Sequence, residues 1–423
     1  MSGRRQLGLA SATALVVANM IGTGVFTTSG FLLGDLRSPW AVLGVWATGG
    51  VLAALGALSY GALARRIPES GGEYLFLSRT LHPAAGYLAG WISLLVGFSA
   101  PLAAAALAFG AYLKPWLPSG SPRVSGTVLV LGFAALHGAH VRRGASAQNW
   151  VVVAKVLLIL AFIGFASVRL HPPPVGLAGG IPLSAFGLSL VWVSFSYSGW
   201  NAAVYIGGEV SEPERNLPRS LLLGTAIVTA LYLALNAVFL FAAPAEQLSG
   251  KLEVAQIAAQ ALGGPTLATA VSALVALALT SSVSSMVMAG PRVYAKMAAD
   301  GYLPRWLAAN AGPPRAAIAL QAALALALLW TATYDGLLTY IGFTLGLSTA
   351  ATVVGLVRLR WREGRRLPVP GWPWVPLLFL AGVLTMTTLT IARRPRESSV
   401  GLATIAVGWA GWWAVERRLR RGH

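Results

Sequence analysis

"VVANMIGTGVF" (residues 16–26) lies in the first apolar stretch of the chain. Its flanks read as membrane helix, yet Gly22, Thr23 and Gly24 fall where the centre of a bilayer would be. Glycine costs a helix interior about 1 kcal/mol relative to alanine. Irregular backbone at that depth is tolerated only where protein or a wet cavity surrounds it. A break at Gly22–Gly24 creates the amino end of a half-helix, whose N–H groups and positive dipole end suit a carboxylate. It also frees carbonyls that suit an ammonium group. The stretch therefore predicts a broken span able to hold both ends of a zwitterion. The competing reading is close helix packing, which small residues also serve.

The remaining sequence fits an all-α polytopic membrane protein. Of 423 residues, 56% are hydrophobic and 10% charged, against about 25% charged in a soluble protein. Apolar runs of about 20 residues suffice to cross a bilayer. They predict twelve spans, at approximately 7–33, 40–64, 82–113, 124–140, 149–168, 183–210, 218–243, 264–290, 315–332, 335–357, 372–392 and 397–416. The net charge of +18 first suggests nucleic acid, but the basic residues lie between the spans. Of 31 Lys and Arg, 22 fall on the side of the termini, among them Arg4, Arg5, Arg65, Arg66, Arg79, Arg142, Arg143 and Arg358. Eight fall on the other side, and Lys155 alone lies within a span. This positive-inside pattern argues against a nucleic-acid partner and predicts a protein of the cytoplasmic membrane with both termini cytoplasmic.

The chain has no cysteine, so neither a thiolate metal site nor a disulfide-linked partner subunit is possible. No cleavable signal peptide is expected in "MSGRRQLGLA". His82, His137, His140, His171 and His423 lack metal spacing and are expected at interfaces; no metal or cofactor is expected. No phosphate-binding glycine loop followed by lysine occurs, so ATP is not expected to take part.

Span 6 contains "VSFSYSGWNAA" (193–203), again small and polar in mid-span, five spans after span 1. An odd offset reverses the direction of travel. Two broken helices in corresponding positions and opposite orientation predict an inverted repeat with a site near the midplane. The repeats would be spans 1–5 (about 7–168) and spans 6–10 (about 183–357). Spans 11–12 (about 372–416) would stand outside them, in one transporter domain covering 1–423.

"MIGTGVF" (20–26), "PESGGEYLF" (68–76), "FSYSGWNAAVYIGGEVSEPERNLPRSL" (195–221) and "AADGYLP" (298–304) resemble the amino acid–polyamine–organocation transporters, especially the L-type amino acid transporter branch and its bacterial relatives. The resemblance implies a five-plus-five inverted repeat with broken helices 1 and 6, and transport of L-amino acids. It implies that the N–H groups of Thr23 and Gly24 bind the substrate carboxylate. Carbonyls near Met20 and Ile21, with those of Phe195 and Ser198, would accept from its ammonium group. Phe195 would close over the substrate, though by itself it reads first as a packing aromatic. The substrate side chain would face Val96, Gly97, Ser198, Asn201 and the stretch Phe343–Leu347. Span 10 reads "GFTLGLS" (342–348), smaller than the aromatic run of eukaryotic L-type members. Cationic-amino-acid relatives carry a glutamate where Asn201 stands, and an uncharged lining favours neutral substrates.

Lys155, in "NWVVVAKVLLIL" (149–160), lies about 10 Å in from the end of span 5. Alone it reads either as snorkelling toward the interface or as a buried functional cation. The resemblance implies that it replaces a coupling sodium between spans 1 and 8. Ser281, Ser282, Ser284 and Ser285 of "TSSVSSM" (280–286) are candidate partners, or simply interhelical hydrogen bonds. Glu69, Glu73 and Glu209 are expected to order solvated loops. "HPPP" (171–174) is expected to be an outer linker, and 244–263 a short outer helix. The leading expectation is a sodium-independent exchanger or facilitator working by alternating access, not an enzyme. Proton-coupled symport, cationic amino acid or polyamine transport, and a channel or sensor on the same fold remain open.

Overall fold

A computed structural model describes residues 7–139, 144–170, 182–308 and 313–421. Arg4, Arg5, His140, Arg142, Arg143, the 171–174 linker with His171, and His423 lie outside them. The described residues form helices, joined at one point by an isolated bridge between Leu7 and Val210.

The first span is broken where its glycines predict. Helices α1 (Leu9–Met20) and α2 (Gly24–Leu36) are bent by 44° at Ile21–Thr23. The Gly22 N–H turns back to the Met20 carbonyl at 2.8 Å, which takes it off the helical ladder. Arg37, in the left-handed region at φ 52°, ends α2. Ser38 then caps α3 (Pro39–Arg66) by accepting from the Ala41 N–H, with Pro39 in the first turn.

The nine-residue α4 (Gly72–Thr80) precedes a continuous helical segment, α5 (Pro83–Ile92), a π-helical turn (Ser93–Ser99) and α6 (Ala100–Tyr112). Pro101 supplies no N–H, and the wider turn absorbs the lost bond, with Ser99 Oγ donating to the Leu94 carbonyl at 2.7 Å. Helices α7 (Pro122–Ala139) and α8 (Gly144–Ser167) follow.

The second break follows α9 (Leu183–Tyr197). Ser198 is extended, Gly199 has φ 102°, and the chain resumes as a 3-10 helix over Ala202–Glu209. Helix α10 (Pro213–Ala242) packs along α3 and α1, and α11 (Ala245–Leu248) is a single turn. Helix α12 (Val254–Ala299) kinks at Gly263–Gly264, so its first turns form the separate outer helix expected within 244–263. The chain ends with α13 (Arg315–Thr331), α14 (Tyr334–Glu363), α15 (Trp374–Arg393) and α16 (Pro395–Arg421).

Among the described residues seven helical segments are long and apolar enough to cross a membrane, and the bent pair α1–α2 makes an eighth. Helices 12 and 14 outrun their apolar stretches at the ends carrying Arg292, Lys296, Arg358, Arg360 and Arg362. Hydropathy therefore places those ends too early, because a helix continues past the boundary of its apolar stretch. The ends of α3 and α14 meet α4 at one face of the bundle, the basic face, where Arg66 pairs with Glu363 and Arg358 donates to the Leu81 carbonyl. The opposite face carries the ion pairs Arg393–Asp35 and Arg394–Asp335.

Candidate functional site

The two breaks touch. A Cβ on Gly24 would lie 2.2 Å from Ser196 Oγ and 2.7 Å from Ser196 Cα, so α2 and α9 meet backbone to backbone. Gly199, with its left-handed φ, lays its backbone against Asn19 and Met20 at the end of α1; a Cβ there would meet the Asn19 carbonyl at 2.8 Å. Close packing and the break are thus the same feature. Thr28 and Ser196 hydroxyls, 3.0 Å apart, and Tyr232 of α10 hold the junction. The Tyr232 hydroxyl donates to the carbonyls of Met20 at 2.5 Å and Ser196 at 3.1 Å, bridging the two broken spans.

Lys155 is 5% exposed, and its Nζ lies 2.5 Å from the Ile21 carbonyl. It does not snorkel. Ile21 is the C-cap of α1, so the ammonium sits on the negative end of a helix dipole, an arrangement worth up to about 2 kcal/mol when partly buried. The described contacts do not carry the cross-link on to the span 8 serines. Ser282 donates to Ala278, Ser285 to the Ser281 carbonyl, and Ser284 bonds His137 Nε2 at 2.9 Å. Hydroxyls in a helix bond back one turn when nothing stronger faces them, and Ser281 and Ser282 make no described hydrogen bond to Lys155.

The carbonyl end of the break is therefore occupied. Met20 O accepts from Tyr232 and Gly22, and Ile21 O from Lys155, so these two carbonyls serve the protein's own donors. The amino end is different. Thr23 and Gly24 open α2, where the first N–H groups have no intrahelical acceptor. These donors, the dipole of α2 and the Lys155 ammonium all favour an anion at the break.

The other expected residues divide. Phe195 (7% exposed) and Ser198 stand at the second break, with the Ser198 N–H returning to the Phe195 carbonyl at 2.9 Å. Val96 and Gly97 lie in the π-helical turn, which packs on α12, α13 and α14. Phe343 is buried with its ring against Gly401 of α16. The Asn201 amide is committed to Glu73 at 3.0 Å.

Glu69 orders its loop as expected: the Arg79 guanidinium donates to it at 2.7 Å and holds its carboxyl below the usual range. Glu73 departs from that expectation, being buried and bonded to three other elements. The sequence does not single out Tyr232, although Tyr232 and Asn236 stand one turn apart in the mainly apolar second half of α10 and mark a polar stripe. A cavity of about 370 Å³ at the basic face, lined by Arg66, Arg79 and Arg362 among others, includes no residue of either break.

The sequence profile of the amino acid permease family matches residues 7–415. The large neutral amino acids transporter small subunit 2 of Rattus norvegicus is 28% identical over 96% of this chain and 79% of its own length. The Asc-type amino acid transporter 1 of Mus musculus is 28% identical over 96% of this chain and 80% of its own. The serine/threonine exchanger SteT of Bacillus subtilis (strain 168) is 29% identical over 96% and 95%. With a family match across nearly the whole chain, two touching helix breaks and a multi-pass apolar bundle, the chain belongs to the amino acid permease family, on the L-type branch of the amino acid–polyamine–organocation transporters, and is a transporter rather than an enzyme.

Proposed function

We propose that the protein is a sodium-independent secondary transporter of neutral L-amino acids, an exchanger or facilitator working by alternating access. Twelve spans would form the five-plus-five repeat in the cytoplasmic membrane, with both termini and the basic face inside. The observation that carries the reading is Lys155 on the Ile21 carbonyl at the first break. A fixed ammonium there would hold the broken end of α1 to α8, one side of the bridge that a bound cation makes. The substrate carboxylate would take the Thr23 and Gly24 N–H groups. Its ammonium would turn to the Phe195 and Ser198 carbonyls, away from the Met20 carbonyl, which accepts from two donors, and from the Ile21 carbonyl, which carries the Lys155 charge. The names of the rat and Bacillus relatives support neutral substrates and exchange. The rat relative is named a small subunit; any partner of this cysteine-free chain would have to bind without a disulfide.

Amino acid uptake into proteoliposomes is expected to persist when choline replaces sodium at fixed pH. Uptake that collapses in choline and returns with sodium refutes the lysine-for-sodium reading. In competition, alanine, serine, threonine, valine or leucine should outcompete arginine and lysine by about tenfold or more, since a buried cation without a free carboxylate costs several times 1.4 kcal/mol. Glu73 offers no such partner, because three donors already hold it. Arginine outperforming every neutral amino acid would overturn the assignment.

A further inference from the structure

Glu73 lies in the first turn of α4 and is 8% exposed. Its Oε1 accepts from the Tyr60 hydroxyl of α3 at 2.8 Å and from Asn201 Nδ2 at 3.0 Å. Its Oε2 accepts from Ser348 Oγ of α14 at 2.9 Å. One carboxylate thus joins α3, α4, α14 and the unwound arm after α9. The titratable groups facing it are Tyr60 and, from the 3-10 segment, Tyr205, whose ring lies against Gly72. From α14 it meets Ser348, while Thr352 faces Tyr60. The charges of the basic face are engaged elsewhere: Arg66 with Glu363, Arg79 with Glu69, Arg358 with the Leu81 carbonyl. Removing a carboxylate from water with no cation beside it is expensive, and ordering the loop does not require it, since the exposed Glu69 does that. Asn201 stands three residues beyond Ser198, on the way from the second break to the basic face.

We propose that Glu73 is the latch of the gate on the basic face, a positioning residue that ties the unwound arm of span 6 to α14 through Asn201 and Ser348 and releases both when substrate leaves by that side. The proposal rests on the transporter reading above. Burial raises the Glu73 carboxyl above the usual range in the latched state, against the opposing pull of its three hydrogen bonds. Release hydrates it and returns it toward the ordinary carboxylate range. The latched state therefore holds the proton more tightly, so acid favours the latch and alkaline pH favours release.

The natural chain has no cysteine, so Ser198→Cys is a lone reporter. Its labelling by a membrane-impermeant maleimide is followed in inside-out vesicles, basic face outward. Adding Ser348→Ala or Glu73→Ala is expected to speed labelling about threefold or more, the equivalent of one lost hydrogen bond. The Ser198→Cys reporter should label faster at about pH 8 than at about pH 5.5, and with Glu73→Gln added it should label slowly and equally at both. A merely structural glutamate would change melting temperature without changing this pH dependence. Unchanged labelling in a well-folded Ser348→Ala variant, or pH dependence that survives Glu73→Gln, overturns the latch; Ser348→Ala decides the matter if Glu73→Ala does not fold. Labelling responses of this kind in the Ser198→Cys reporter, together with natural-sequence vesicles that take up no amino acid, refute the transport reading and leave the latch standing.

Discussion

Lys155→Ala is expected to reach the membrane and to transport amino acids about ten- to a hundredfold more slowly. The loss follows from a single contact. Without the ammonium, the Ile21 carbonyl is left unpaired inside the bundle, at a cost of about 1–3 kcal/mol, and each 1.36 kcal/mol is about tenfold in rate. Lys155→Arg should fail as well. The guanidinium is larger and planar and does not fit a 5% exposed site shaped around a compact ammonium. A snorkelling lysine would tolerate the change, because arginine snorkels equally. The measurement is exchange in proteoliposomes, normalised to inserted protein. Lys155→Arg with near-parental exchange would remove the lysine from the mechanism.

Gly24→Leu should abolish amino acid binding while still allowing membrane insertion. Even a Cβ at this position would lie 2.2 Å from Ser196 Oγ and 2.7 Å from Ser196 Cα, so the two broken helices must separate. Overpacking of this kind costs about 1–3 kcal/mol, and it also blocks approach to the N–H groups that open α2. Gly22→Ala is the control, since its nearest added contact is the Met20 carbonyl at 3.9 Å. Thermal shift is the readout. A ligand at 100 times its Kd stabilises the parent by about 2.7 kcal/mol; Gly22→Ala should keep most of that shift and Gly24→Leu none. Near-normal affinity in Gly24→Leu would leave helix packing as the only reason for the glycine.

The breaks and the lysine are legible in the sequence because each violates the rules of its surroundings. Glycines at bilayer depth and a cation in an apolar run are costly, and a cost marks a site. The partners are harder to read. Periodicity gives the face of a helix on which a residue lies but not what stands opposite. Thus Phe343, on a span expected to line the site, turns its ring to Gly401, and Ser282, Ser284 and Ser285 spend their hydroxyls on neighbours other than Lys155. Glu73 looks like a loop residue because its segment, "PESGGEY", is polar. Its burial depends on Tyr60, Asn201 and Ser348, which the chain supplies from three distant places. Tyr232 is concealed in a different way: a hydroxyl on an aromatic ring barely alters hydropathy, yet it bridges both breaks.

The tether on the Lys155 ammonium has a thermodynamic consequence. A sodium ion held at that point would depart with its cargo and carry the free energy of its own gradient into the cycle. An amine fixed to α8 never leaves. A zwitterionic substrate moved past it transfers no net charge, so the membrane potential, worth about 2.3 kcal/mol per charge per 100 mV, does no work on the turnover. On the proposed reading, such a machine spends one amino acid's gradient to move another, and accumulation by its means is set by the pools on either side.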